Sequence, residues 1–597
     1  MNNTNEGIMP ISNPLTLGVD LGTTNSCASI YINGQTIVLD MEQSAQKTLP
    51  SIVRFIDRKL EDTIIGSAAK KYKIIKPNEV FSSVKSLMQD ESWRNNEDLV
   101  AKYTFDGVVL TPKDIAQKIL EEVLRLAQKS EYGQNGTFDK VVICVPANST
   151  PQYKNYVKDI AKAVGFGKKD GEGNYILKPD GDIMGIDILS EPSAAAISYA
   201  KEKGIFDSNK DKEINLLVYD FGGGTFDVTI LTVRSKSTGV PAFDIKGTYG
   251  VPNLGGDDID KVLMQYVSDQ FYDETGIDLM DPSKDNKGNS PKAIYQAQAW
   301  LKNESERAKI EFSNESLTEY TFDNPGIIDD NDEDKTCNLN CIVSREQFEC
   351  IIAPLIQRTI ECVEGALTSS KLSFDEIDRF IIVGGSSKGP WVRNAIKNKF
   401  GREPYNADNL DTIVSRGAAI YGEEKRESVI TTPLGQPTGN VGGSDSTPET
   451  ENNGGGLTLV EKTVQSIGVE LKNGFFSPLT EKGITITESI PCEGRGKYTN
   501  ADSSNTITIA LWGTSRNLEI ETTPSGNKVV YDPIHGIDEN GNPLFDYYGE
   551  VSIDVPQATP GTVDIQLVLE VRLDNSLKVT AIVDGGEPQV KEINNKK

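Results

Sequence analysis

Residues 218–227 read "VYDFGGGTFD". Three consecutive glycines interrupt an apolar run, with Asp220 before the break and Asp227 after it. Glycine weakens a strand interior, so three together need a reason. A glycine turn exposes successive backbone N–H groups, a nest that receives anions. The missing side chains also let a ligand approach the main chain. One such hairpin alone is more often a structural turn.

A second copy of the pattern decides between the two. Near the start stands "LTLGVDLGTTNSCASIYING" (15–34), and later "NLLVYDFGGGTFDVTILTV" (215–233). Each reads as strand, Asp, apolar residue, Gly, small polar residues, strand, which is a β-hairpin with a small-residue turn. Asp20 matches Asp220, and Gly22 matches Gly222. Two such hairpins predict two related lobes facing one phosphate-bearing ligand. The aspartates are placed for a cation held by those phosphates, and magnesium suits them because it keeps its waters and takes few carboxylates. No G-x-x-x-x-G-K-[ST] loop occurs, and "GFGKKD" (165–170) lacks the third glycine of a dinucleotide fingerprint.

Composition narrows the class. The 597 residues are too many for one core. A net charge of −27 argues against nucleic-acid binding. No stretch approaches the roughly 20 apolar residues of a membrane helix, and the start carries no secretion signal, so a cytoplasmic location is expected. Seven scattered cysteines make a disulfide framework improbable. The single histidine, His535, lies in a turn-rich stretch, which counts against histidine catalysis.

Strands and helices alternate to about residue 424, an α/β pattern. "TPKDIAQKILEEVLRLAQKS" (111–130) predicts a helix capped by Thr111 with Pro112 first. "PQYKNYVKDIAKAVGF" (151–166) predicts another, stopped by Gly165. The segment 435–456 is almost entirely Gly, Ser, Thr, Pro, Asn and acid, with Val441 its only aliphatic residue, the composition of a flexible linker. Beyond it the period becomes two. Val563, Ile565, Leu567, Leu569, Val571 and Leu573 share one face, as do Ile507, Ile509 and Leu511, and Val551, Ile553 and Val555. These predict an antiparallel β-sandwich.

Six motifs occur in order: "GVDLGTTNSCASI", "ILSEPSAAAISYA", "VYDFGGGTFDVTIL", "NLGGDDID", "ERAKIEFS" and "IIVGGSSKGP". In them the chain resembles the seventy-kilodalton heat-shock chaperones, DnaK-like in its first block. The resemblance is strong over about 15–425 and weaker over 457–590. It implies a two-lobed, actin-like ATPase domain (a duplicated ribonuclease H-like fold) followed by an all-β sandwich. The expected boundaries are a tail at 1–14, lobes at about 15–209 and 210–428, a flexible linker at 429–462, a sandwich at 463–591 and a tail at 592–597. No helical lid is expected after it, so peptide should exchange quickly.

The resemblance also implies roles. Asp20 and Asp220 would hold magnesium and potassium through waters, with Asp227 in the same patch. Gly22, Thr23, Thr24 and Asn25 match the first phosphate turn, and Gly222, Gly223, Gly224 and Thr225 the second. Lys85, in "FSSVKSLM", matches the lysine that positions the attacking water, and Glu191 the glutamate that closes the site. With Asp20, Asp220 and Thr225 these form the implied catalytic set for ATP hydrolysis to ADP. Gly255 and Gly256 match a turn beside the phosphates. Glu306, Lys309 and Ser313, spaced for one helical face, match ribose and adenine contacts, as do Gly384, Gly385, Ser386 and Lys388. The family usually has arginine at Lys388, and lysine lacks its planar stacking surface.

Other positions depart further. "LTLVEKTVQSIG" (457–468) replaces the family's leucine-rich linker, and a loose tether predicts weak coupling. Asp187 stands where the family has arginine, which puts an ordinary J-domain partner in question and leaves a diverged one, beside a nucleotide exchange factor. Val469, Ala501, Ile507 and Ile509 match pocket positions for extended polypeptide, although alternation alone favours core, and Lys472 takes an arch position that is usually apolar. The expected function is an ATP-dependent chaperone. The alternatives are a nucleotide-gated scaffold or exchange factor with little turnover, and a small-molecule kinase of the same fold.

Overall fold

The computed structural model describes residues 14–430 and 458–593, apart from 43–44, 74, 90, 106, 148, 179–181, 206–211, 236–241, 253, 329–335, 407–409, 464, 488–490, 515, 517, 524–525, 538–542 and 573–575. The N-terminal tail, the segment 435–456, Leu573 and residues 594–597 lie outside the described residues.

The echo in the sequence is an echo in topology. In the first sheet, β1 (Leu15–Asp20), β2 (Asn25–Ile32) and β3 (Gln35–Val38) form an antiparallel meander. β4 (Phe138–Val145) and β5 (Ile186–Ser190) then add in parallel beside β1, giving the order 5-4-1-2-3. The second sheet repeats this. β6 (Lys212–Phe221), β7 (Thr225–Ser235) and β8 (Ala242–Pro252) are antiparallel. β9 (Arg379–Val383) and β10 (Tyr405–Asn406) lie parallel beside β6, in the order 10-9-6-7-8.

β6 explains why the second hairpin sits in an unbroken apolar run. Leu217, Tyr219 and Phe221 pack into one buried cluster, and Leu216 and Val218 into another on the opposite face. A strand buried on both faces needs no polar alternation. Two helices lie between the sheets, Glu191–Glu202 after β5 and Ile413–Ile430 after β10. They approach so closely that a side chain at Gly417 would overlap the backbone of Ala194. Thr111 and Asp114 form a capping box at the start of the helix Pro112–Lys129, and Gly165 ends Pro151–Val164 in the left-handed region. The helix containing Glu191 is capped by Ser190, with Glu191 and Pro192 its first two residues.

The C-terminal part contains two antiparallel sheets, one of six strands and one of four. Ile467, Val469 and Leu511 from one meet Ile565, Leu567 and Leu569 from the other in one buried cluster.

The expected flexible linker at 429–462 is corrected at both ends. The preceding helix continues to Ile430. Residues Thr458–Lys462 form a strand, β11, parallel to β8. Leu459 enters the buried cluster between the first and second sheets, and Glu461 pairs with Ile486 of β12 (Thr485–Thr487). The second sheet therefore runs without a break from the second lobe into the β-domain, in the order 10-9-6-7-8-11-12. Main-chain pairing needs no leucine-rich sequence, so the altered composition of 457–468 does not prevent docking. Among the described residues, no helix is long and apolar enough to cross a membrane.

Candidate functional site

The two hairpin turns face each other across a cavity of about 400 Å³. Both turns keep their carbonyls occupied from behind. Ser51 donates to the carbonyls of Gly22 (Oγ, 2.8 Å) and Thr24 (N–H, 2.8 Å). The Gly222 carbonyl accepts Gly256 N–H (3.0 Å) and Ser386 Oγ (2.8 Å), and Gly223 accepts Asp257 N–H (2.7 Å). The amides of Thr23, Thr24, Gly223 and Gly224 find no backbone acceptor among the described residues. Such amides are the donors of an anion nest. The glycines are required by crowding: a Cβ on Gly255 would lie 2.5 Å from the Gly223 carbonyl oxygen. Gly384, at φ +86°, would bring one to 2.8 Å from Asp220 Oδ1.

Below the turns lies a buried charge cluster. Lys85, on the short helix Val84–Gln89, donates to Glu191 at the start of the closing helix. Asp20 ends β1, Asp220 holds the equivalent position one residue before the end of β6, and Asp227 pairs with Asp220 across the hairpin. Burial, then Glu191, pushes the Asp20 carboxyl up to about 7, against the pull of Lys85. Burial, Glu191, Asp227 and Asp20 raise Asp220 well above its ordinary value. Burial works against the Lys85 ammonium, but Glu191, Tyr153 and Asp20 outweigh it and hold it protonated. One lysine thus faces three carboxylates, Glu191, Asp20 and Asp220. Among the described residues no three His, Cys, Asp or Glu side chains converge as direct metal ligands. All-oxygen donors with surplus negative charge, set too far apart for chelation, fit a hydrated hard cation such as magnesium.

The cavity wall contains Asp20, Gly22, Thr23, Thr24, Asn25, Lys85, Glu191, Asp220, Gly222, Gly223, Thr225, Gly256, Glu306, Lys309, Ser313, Gly384, Gly385, Ser386 and Lys388. Gly224, Gly255 and Asp227 do not line it. Glu306 and Lys309 project from the helix Pro291–Phe312, and Ser313 caps its end. Lys388, at the rim, pairs with Asp411 at 2.5 Å.

The sequence reading missed the contacts that bridge the lobes. Lys70 and Lys73 of the first lobe meet Glu306 of the second at 2.8 and 3.9 Å. They hold its carboxylate below the usual range although burial works the other way. Ser83 Oγ of the first lobe donates to Asp257 of the second at 2.7 Å, and within the second lobe Lys309 pairs with Asp260 at 2.7 Å. No local signal pairs residues so far apart in sequence.

Elsewhere the structure separates the expected positions. Val469 and Ile509 are buried in the sandwich core and Ile507 packs against it. Ala501 is exposed, and its carbonyl accepts a hydrogen bond from Lys472 (3.1 Å). The four therefore do not form one apolar surface, because period-two alternation directs three of them inward. Asp187, expected on an altered docking face, is held by Lys178 (2.6 Å) and Lys140 (3.0 Å). Against its burial, these lysines keep its carboxyl well below the ordinary value.

Two duplicated lobes that enclose paired anion nests, with a buried lysine and carboxylates beneath, define a phosphate-binding protein of the nucleotide-handling type. The model of the family described as Hsp70 protein matches residues 16–429, more than half of the chain. The chain belongs to the Hsp70 family. Members of that family are ATPases that bind ATP or ADP with magnesium, and they bind polypeptides and co-chaperones.

Proposed function

We propose that this chain is an ATP-dependent molecular chaperone, in which ATP hydrolysis between the lobes modulates polypeptide binding by the β-domain. The observation that carries the reading is the pair of matched turns with free amides above the Lys85–Glu191 pair. Phosphoanhydride hydrolysis needs positioning and charge stabilisation rather than a covalent nucleophile. In this reading the amides of Thr23, Thr24, Gly223 and Gly224 bind the terminal phosphates. Lys85 positions the attacking water and offsets charge developing on the transferred group. Glu191 orients Lys85. Asp20 and Asp220, with Asp227 behind, would hold the waters of a bound magnesium and a potassium ion, which supply positive charge to the phosphate oxygens. Glu306, Lys309, Ser313 and Lys388 bind the nucleoside.

β11 gives the β-domain a direct main-chain connection to the second lobe. J-domain and exchange-factor partners belong to the same proposal. Phosphate release from ATP without any added acceptor, together with fluorescent-peptide affinities in ADP and in ATP, tests it. Turnover only with a small-molecule acceptor would indicate a kinase. Nucleotide binding without turnover would indicate a gated scaffold.

A further inference from the structure

The six-stranded sheet also buries apolar side chains outside the core between the sheets. Phe476, Val530, Ile534 and Phe545 form a second buried cluster there, separate from the core between the sheets. At its rim, aromatic side chains gather around one carboxylate. Glu470 Oε2 accepts a hydrogen bond from Trp512 Nε1 (3.1 Å), and Oε1 lies 3.3 Å from His535 Nε2. The Trp512 ring meets His535 edge to face at 5.2 Å and Tyr547 at 4.9 Å. Tyr547 is 48% exposed, and its O–H donates to the Glu550 carboxylate. Neither Glu470 nor Glu550 pairs with a lysine or arginine among the described residues.

Tyr547 and Glu550 belong to the strand Asp546–Asp554. It pairs with Thr506–Thr514 on one side, and with no strand on the other among the described residues. Its last residue is clasped by Gln589, which donates to the Asp554 carbonyl (2.7 Å) and accepts its N–H (2.9 Å). The exposed side chains of this edge include Asp546, Glu550 and Asp554, and no base. An acidic edge repels other copies of a chain with net charge −27. The same charge favours a cationic strand. A carboxylate offers about four acceptor sites, so Glu470 retains capacity beyond Trp512 and His535. Aromatic faces beside it attract an ammonium or guanidinium group.

We propose that the edge strand Asp546–Asp554 and the corner of Glu470, Trp512, Tyr547 and His535 form a polypeptide-binding surface, which takes an extended basic strand by main-chain pairing and seats one lysine or arginine in the corner. This surface lies outside the apolar positions Val469, Ile507 and Ile509 and outside the nucleotide cavity.

The test uses the full chain and a fluorescein-labelled peptide of alternating lysine and valine, read by anisotropy. The peptide should bind at least about tenfold more tightly than its glutamate–valine counterpart, and Glu470→Gln or Tyr547→Ala should weaken it about fivefold or more. N-methylation of alternate backbone amides should cost about tenfold, because strand addition depends on them. Both variants should keep the wild-type melting temperature and nucleotide affinity. Three results would each overturn the proposal: equal affinity for the two peptides, unchanged binding in both variants, or indifference to N-methylation. A dimer that Tyr547→Ala dissolves would also overturn it, since the surface would then serve a second copy.

Discussion

Replacing Asp20 by asparagine should make the nucleotide-free protein more stable, and most so at alkaline pH. Burial and Glu191 raise the Asp20 carboxyl from 3.8 to about 7. Between those values the unfolded chain ionises Asp20 while the folded chain still holds its proton. Stability attached to that proton is therefore present below about pH 4 and is lost as pH rises to about 7. At 1.36 kcal/mol per pH unit, the loss reaches about 4 kcal/mol if Asp20 titrates alone. Asp220 lies beside it and shares the charge, so about 2 kcal/mol should separate the two proteins at pH 8, and less than half of that at pH 5. For lobes of this size that is about 5 °C in melting temperature. The assay is a thermal scan of wild type and Asp20→Asn from pH 5 to 8 without nucleotide. Saturating ATP with magnesium should reverse the order, because the wild type gains the ligand's stabilisation and the variant gains less. Parallel curves for the two proteins across this range would refute the reasoning, since the buried carboxylate would then carry no strain.

Lys85→Ala should lower single-turnover ATP hydrolysis by about 10²–10³-fold while leaving nucleotide affinity within a few-fold, as expected for a group acting in the transition state; hydrolysis at the wild-type rate would remove Lys85 from the mechanism. Gly255→Ala forces a Cβ to within 2.5–2.6 Å of the Gly223–Gly224 backbone, so it should weaken nucleotide binding by tenfold or more in equilibrium titration. Glu306→Gln breaks the contacts to Lys70 and Lys73 across the cavity and should speed ADP release in stopped-flow measurements by about five- to tenfold, on the scale of a partly buried charge pair. Leu459→Asp places a charge in the buried cluster between the first and second sheets. It should expose the amides of Thr458–Lys462 to hydrogen exchange and abolish any difference between ATP and ADP in peptide affinity.

How much of the site was legible depends on the distance over which each contact is encoded. The cradle is local. Asp20 with Gly22–Asn25, and Asp220 with Gly222–Thr225, lie within a few residues of one another, so spacing alone located both turns. The helix caps at Thr111 and Gly165 were legible for the same reason. Lys85 and Glu191 meet across 106 residues, and only the family resemblance linked them. Lys70 and Glu306 are 236 apart and nothing in either neighbourhood marks them. Alternation at Val469, Ile507 and Ile509 was legible as a face, but period two does not say whether that face lines a groove or a core.

β11 shows why a linker is harder to read than a strand. Thr458–Lys462 has only two apolar side chains, Leu459 and Val460, and follows a segment of flexible composition, so local propensity argued for a tether. Its strand character comes from its partners: Ala242–Asp244 on one side and Thr485–Thr487 on the other. β8 carries that pairing at one end. At its other end Pro252 and Gly250 pair with Thr225 and Asp227, the residues that close the phosphate turn. One strand therefore touches the phosphate turn with its last residues and the connection to the β-domain with its first. A shift of the turn that changes the register or twist of β7 against β8 acts on the seat of β11 without any intermediary side chain. Coupling through such a ladder resides in main-chain geometry. It should tolerate conservative changes at Val460 and Glu461, and fail when Leu459, the side chain that anchors β11 in the lobe, is lost.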